Sequence, residues 1–74
     1  ERARGSNALK AGYTEEDKLY VSIDQARYDL EVAVRTFNEL TDDKAVDYAS
    51  YNLLAARARY SYLLKLAKEK NLSL

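Results

Sequence analysis

Cysteine and histidine are both missing from this chain, and with them go the disulfide framework and the zinc site that stiffen many short polypeptides. The same absence removes the side chains that most often do acid–base or nucleophilic work near neutral pH, leaving carboxylates, lysines and tyrosines. Proline is absent, and both glycines lie within the first twelve residues, so nothing from Tyr13 to Leu74 carries a strong helix breaker. No stretch approaches the ~20 apolar residues needed to cross a bilayer. Neither sign of charge is in excess: 12 bases balance 12 acids, against a protein whose task is to coat nucleic acid.

A chain of 74 residues is one domain at most. A core of that size hides only roughly 60 % of the surface exposed by the unfolded chain, so its stability is marginal. With disulfides and zinc excluded, association is the remaining stabilising device. The lack of cysteine fits a reducing compartment, and the expected location is the cytoplasm. Glu1 to Lys10 are polar, without methionine and without the apolar centre of a secretory signal. Residues 1–13 read as a flexible or tag-like segment ahead of a folded unit spanning 14–74. Ser6-Asn7-Ala8 suits native sequence and a cloning remnant equally.

Helix is the default reading for the rest. Thr14 followed by Glu15, Glu16 and Asp17 is an N-cap with a capping-box acid, and it sets negative charge at the positive end of the helix dipole. From there Leu19, Ile23, Ala26, Leu30, Ala33, Phe37 and Leu40 alternate in steps of four and three, the heptad seam of a helix packed lengthwise against another. Tyr20 and Val34 widen this stripe. Thr41-Asp42-Asp43 interrupts it with residues that cap helices and disfavour their interiors. Val46, Ala49, Leu53, Ala56, Tyr60, Leu63 and Ala67 then repeat the alternation.

The pattern predicts one helix over about 15–40 and a second over about 43–70. So short a connection makes them antiparallel neighbours, an all-α hairpin with its two seams face to face. Charge agrees with that direction. Thr14 to Asp47 holds ten acids against four bases, whereas Tyr48 onward holds five bases and one acid. Folding back therefore brings Lys65, Lys68 and Lys70 towards Glu15, Glu16 and Asp17.

On a wheel of ~100° per residue the second helix has a further apolar group: Tyr48, Tyr51, Ala55, Ala58, Tyr62 and Leu66, about 140° from its seam. Asn52, Arg59 and Lys70 separate the two groups. One partner helix cannot cover both sides. Three tyrosines spaced by alanines match the composition that protein interfaces favour. The first reading is self-association, two hairpins closing a homodimeric four-helix bundle. The alternatives are a different protein partner and tyrosines left exposed. On the first helix, Val21, Tyr28 and Val32 form a fainter patch opposite the seam.

No catalytic constellation emerges. The acids gather at helix starts, where capping explains them, and Asp24, Glu31 and Asp47 stand singly on polar faces. The Glu-x-x-His pattern of carboxylate-bridged metal sites is missing, as are a glycine-rich phosphate loop and a nucleophile elbow. The expectation is a protein that is not an enzyme and takes no cofactor or metal. Arg57, Arg59, Lys65, Lys68 and Lys70, interleaved with Tyr60 and Tyr62, leave a nucleic-acid accessory role as the alternative function. Against it stand Tyr60's place in the seam and the acids of the first helix, which repel phosphate. A role at a membrane surface needs a free apolar face backed by a basic one, and here each seam is spent on the other helix.

Val46-Asp47-Tyr48-Ala49, Tyr51, Ala55-Ala56, Arg59-Tyr60, Tyr62-Leu63-Leu64-Lys65 and Ala67-Lys68 together resemble the C-terminal half of the YaaL-like proteins of Gram-positive bacteria, a domain of unknown function. Asp17 to Leu40 resembles that family more loosely. The resemblance implies a short helical bacterial protein of the cytoplasm and brings no activity, cofactor or catalytic residue with it. Asn71 stands where a glycine closing the last helix is expected, and asparagine also accepts the left-handed cap.

Overall fold

A computed structural model describes residues 14–74, and the segment expected to be tag-like, 1–13, lies outside the described residues. Two α-helices make up the described chain: α1, Glu15–Glu39, and α2, Asp43–Glu69. They pack against each other as a hairpin, and no strand is present among the described residues.

Local chemistry explains where each helix starts and stops. The Asp17 N–H donates to Thr14 Oγ1, and the Thr14 N–H donates to Asp17 Oδ2, both at 3.0 Å. This reciprocal capping box satisfies donors that the first helical turn cannot. At the other end Leu40 turns extended and its N–H bonds back to the Phe37 carbonyl at 3.4 Å, releasing the chain into the turn. Asp42 then caps α2, its Oδ1 accepting from the Lys44 N–H at 3.0 Å.

The C-terminus of α2 closes with Asn71 at φ 61°, in the left-handed region. The Leu72 N–H reaches the Ala67 carbonyl and the Asn71 N–H reaches the Lys68 carbonyl, each at 3.0 Å. Those two bonds define a Schellman motif, with asparagine in place of the usual glycine. The motif turns Leu72 back onto the open end of the hairpin, where it packs against Leu19, Ile23 and Ala67. Tyr20, beside them, donates its hydroxyl to the Ser73 carbonyl at 2.7 Å. A cap set by one residue thus adds an apolar side chain and a cross-chain hydrogen bond to the core.

The seam itself is thin. Its buried apolar side chains are Leu19, Ile23, Ala26, Ala49 and Ala67, and the three alanines are the most enclosed, at 1 %, 3 % and 0 % exposure. Leu30, Phe37, Val46, Leu53, Tyr60 and Leu63 are half-buried. The antiparallel packing that brings Leu19 against Ala67 sets, in the same register, Leu30 level with Ala56 and Phe37 with Ala49. Large residues face small ones, which lets the helices approach closely and leaves the long side chains splayed to the edges.

Two substitutions test these ends by thermal unfolding. Thr14→Ala should cost about 1 kcal/mol by removing the cap. Asn71→Val should cost about 1–2 kcal/mol, since a β-branched residue resists the left-handed conformation. Each kcal/mol should lower Tm by roughly 4–8 °C in a domain of this size. An unchanged melting temperature would remove the cap from the stability of the hairpin.

Candidate interaction surface

The second apolar group of α2 lies on the side turned away from α1. Its tyrosines are the most exposed large apolar residues of the helix: Tyr48 at 70 %, Tyr51 at 75 % and Tyr62 at 61 %. Ala55 and Ala58 between them are exposed as well. Leu66 departs from the group. It is half-buried and packs against the Leu19–Ile23–Ala67 cluster at the open end of the hairpin.

Leu54 joins the exposed set at 59 %. The wheel alone places it outside both apolar groups, at the rim of the tyrosine face. The available signal was the unbroken run Leu53-Leu54-Ala55-Ala56, too long for one stripe of a helix to absorb. On α1, Val21 and Tyr28 are exposed and Val32 half-buried. Val34 is exposed instead of widening the seam, and Tyr20 is held half-buried by its bond to Ser73.

Charge is arranged differently from the expectation drawn from the two ends of the chain. Among the described residues Lys65, Lys68 and Lys70 form no ion pair with Glu15, Glu16 or Asp17. Among the described residues the ion pair between the helices is Arg59 to Asp29, 3.2 Å, in the middle of the hairpin. The other pairs, Lys18–Glu15 and Arg27–Asp24, stay within one helical turn. Long exposed lysines lose side-chain entropy when held and gain little in water, so proximity alone does not fix them. Asp29 is held on both sides, accepting from Gln25 Nε2 at 2.9 Å and from Arg59.

Between the helices, towards the turn, runs an open groove of about 470 Å³ with Ala33, Ala49 and Ala56 along its floor and Tyr48 at its lip. Asp29, Thr36 and Asn52 supply its polar atoms. The groove exists because alanines stand where larger seam residues would fill the gap. Its carboxylate, Asp29, is already engaged by Arg59, and the phenol of Tyr48 also lines it. The groove therefore offers chiefly apolar contact. Among the described residues no group of three or more candidate ligands is placed to hold a metal ion, and no helix is long and apolar enough to cross a membrane.

An all-α hairpin with a meagre interior and an uncovered aromatic face is the class of protein that these features define. The chain belongs to the family described as a protein of unknown function, DUF2508, whose model matches residues 2–74. No curated protein and no solved structure matches it.

The Asp29–Arg59 contact should act on register more than on stability. Both side chains are about half exposed, so a double-mutant cycle of Asp29→Ala and Arg59→Ala should give a coupling below about 1 kcal/mol. A coupling of several kcal/mol would mean that the pair is desolvated in the protein's working state.

Proposed function

We propose that this protein is a non-catalytic protein-interaction module of the bacterial cytoplasm, and that its tyrosine face is the docking surface. Its place is with the YaaL-like proteins of Gram-positive bacteria. The first occupant of the face is a second copy of the chain, so that two hairpins make a four-helix bundle.

One contrast carries this reading. The interior of the hairpin is sealed mainly by alanines, whereas Tyr48, Tyr51, Leu54 and Tyr62 stand together in water. Burial stabilises at roughly 25 cal/mol per Å² of apolar area, and a tyrosine has ~150–250 Å² to offer where an alanine has far less. A face of large apolar residues thus remains to be buried outside the chain's own fold. Tyrosine also suits an interface whose rim stays wet, since the ring packs while the hydroxyl keeps water or a polar partner. A reading as a nucleic-acid accessory protein gains nothing from the same geometry, because Arg59 is already committed to Asp29.

Sedimentation velocity on the purified chain tests the proposal directly. A dimer is expected at micromolar concentration, with Tm rising as concentration rises. Tyr51→Glu and Ala58→Glu each place a charge on the docking face, and each should shift the chain to monomer and lower its Tm. A wild-type chain that stays monomeric to about 100 µM, with both variants equally stable, would overturn self-association. Retention on a DNA or RNA column that salt abolishes would favour the alternative.

A further inference from the structure

The exposed face of α2 is nearly a palindrome with its charges inverted. Read from its centre between Ala56 and Arg57, Ala55 mirrors Ala58 and Tyr51 mirrors Tyr62. Further out Asp47 mirrors Lys65 within one residue, and Lys44 mirrors Glu69. All eight project within a sector of roughly 80° on a wheel of ~100° per residue. All are exposed. None of the four charged residues takes part in an ion pair among the described residues.

A two-fold axis perpendicular to two antiparallel helices converts just such a mirror into contacts, because an isologous interface sets residue i of one copy against residue j of the other and j against i. We infer that two copies pair through α2 in this antiparallel register, crossing at Ala55 and Ala58. There each alanine meets the other alanine of the second copy, and the absence of larger side chains allows an approach of about 8 Å. Tyr51 lies on Tyr62 of the second copy on either side of the crossing. At the two ends Lys44 meets Glu69, and Asp47 meets Lys65.

A parallel pairing of the same face sets Lys44 on Lys44 and Glu69 on Glu69. Like charges then oppose one another at both ends, and the helix dipoles add to the repulsion. Charge complementarity thus selects both the occupant and its direction. A second copy in antiparallel orientation satisfies every position of the pattern.

This inference rests on the tyrosine face being the contact between copies, and the experiment separates the two claims. The chain has no cysteine, so Lys68→Cys accepts a single nitroxide label on an exposed flank of α2 away from the contact. Pulsed electron paramagnetic resonance on the dimer should give a distance dominated by an offset of about 35 Å along the helices at ~1.5 Å per residue. A parallel pair would give about 20 Å or less. Separately, Lys44→Glu should weaken the dimer about five- to tenfold at low salt, and Lys44→Glu with Glu69→Lys should restore it to within about twofold. Both substitutions agree with the helix dipole, and rescue by the charge exchange separates the contact between copies from any change within the helix.

A dimer with the short distance, or without rescue by the charge exchange, overturns the register while leaving self-association intact. A wild-type monomer defeats the self-association reading, and the register with it. The long distance together with rescue establishes both.

Discussion

The close approach of two helices across alanines is the constraint on which the remainder of this structure depends. Ala26, Ala49 and Ala67 are the residues that the seam encloses most fully, and they allow the backbones to come together. They also deprive the hairpin of volume. An alanine contributes little transfer free energy, so a seam that alternates large with small gains proximity at the expense of buried area. The groove near the turn, the half-buried Leu30, Phe37 and Leu53, and the reliance on caps at both ends all follow from that exchange.

Where hydrophobic burial is scarce, local hydrogen bonding matters more. The capping box at Thr14, the Asp42 cap and the Schellman closure at Asn71 satisfy backbone groups that solvent would otherwise compete for. The last of these does more than end a helix. By reversing the chain it carries Leu72 onto the cluster of Leu19, Ile23 and Ala67, and it delivers Ser73 to the hydroxyl of Tyr20. The open end is consequently the better-packed half of the hairpin, and the end near the turn keeps its groove.

Scarcity inside and abundance outside are two aspects of one composition. The aromatic rings that would enlarge the core are placed on the far side of α2, where the fold of one chain has no second surface to bring against them. A helix apolar on two sides is normally covered on two sides. The tyrosine side of α2 is the one that α1 leaves uncovered. The groove near the turn offers mainly alanine contact beside the Asp29 carboxylate, which Arg59 engages.

The all-α hairpin was legible in the residues because its causes are local or periodic. Thr14 and Asp17 stand three apart, Thr41-Asp42-Asp43 breaks a regular alternation, and two heptad seams of equal length on either side of a tight turn have one way to meet. The exposed tyrosines were legible for the same reason, since a wheel requires only sequence. What the wheel cannot supply is reach. Leu66 belongs to the tyrosine face by angle and to the core by position, because it lies at the open end where the Leu19–Ile23–Ala67 cluster gathers. Leu54 belongs to neither group by angle and is left in water by the distance to α1. The acids and lysines of the two ends have matching signs and form no pair, while Asp29 and Arg59, unremarkable in the sequence, meet at 3.2 Å. Period and capping depend on neighbours within a turn or two, so the amino-acid order alone determines them. Contact between side chains thirty residues apart depends on the separation and tilt of two axes, and only the packed structure decides it.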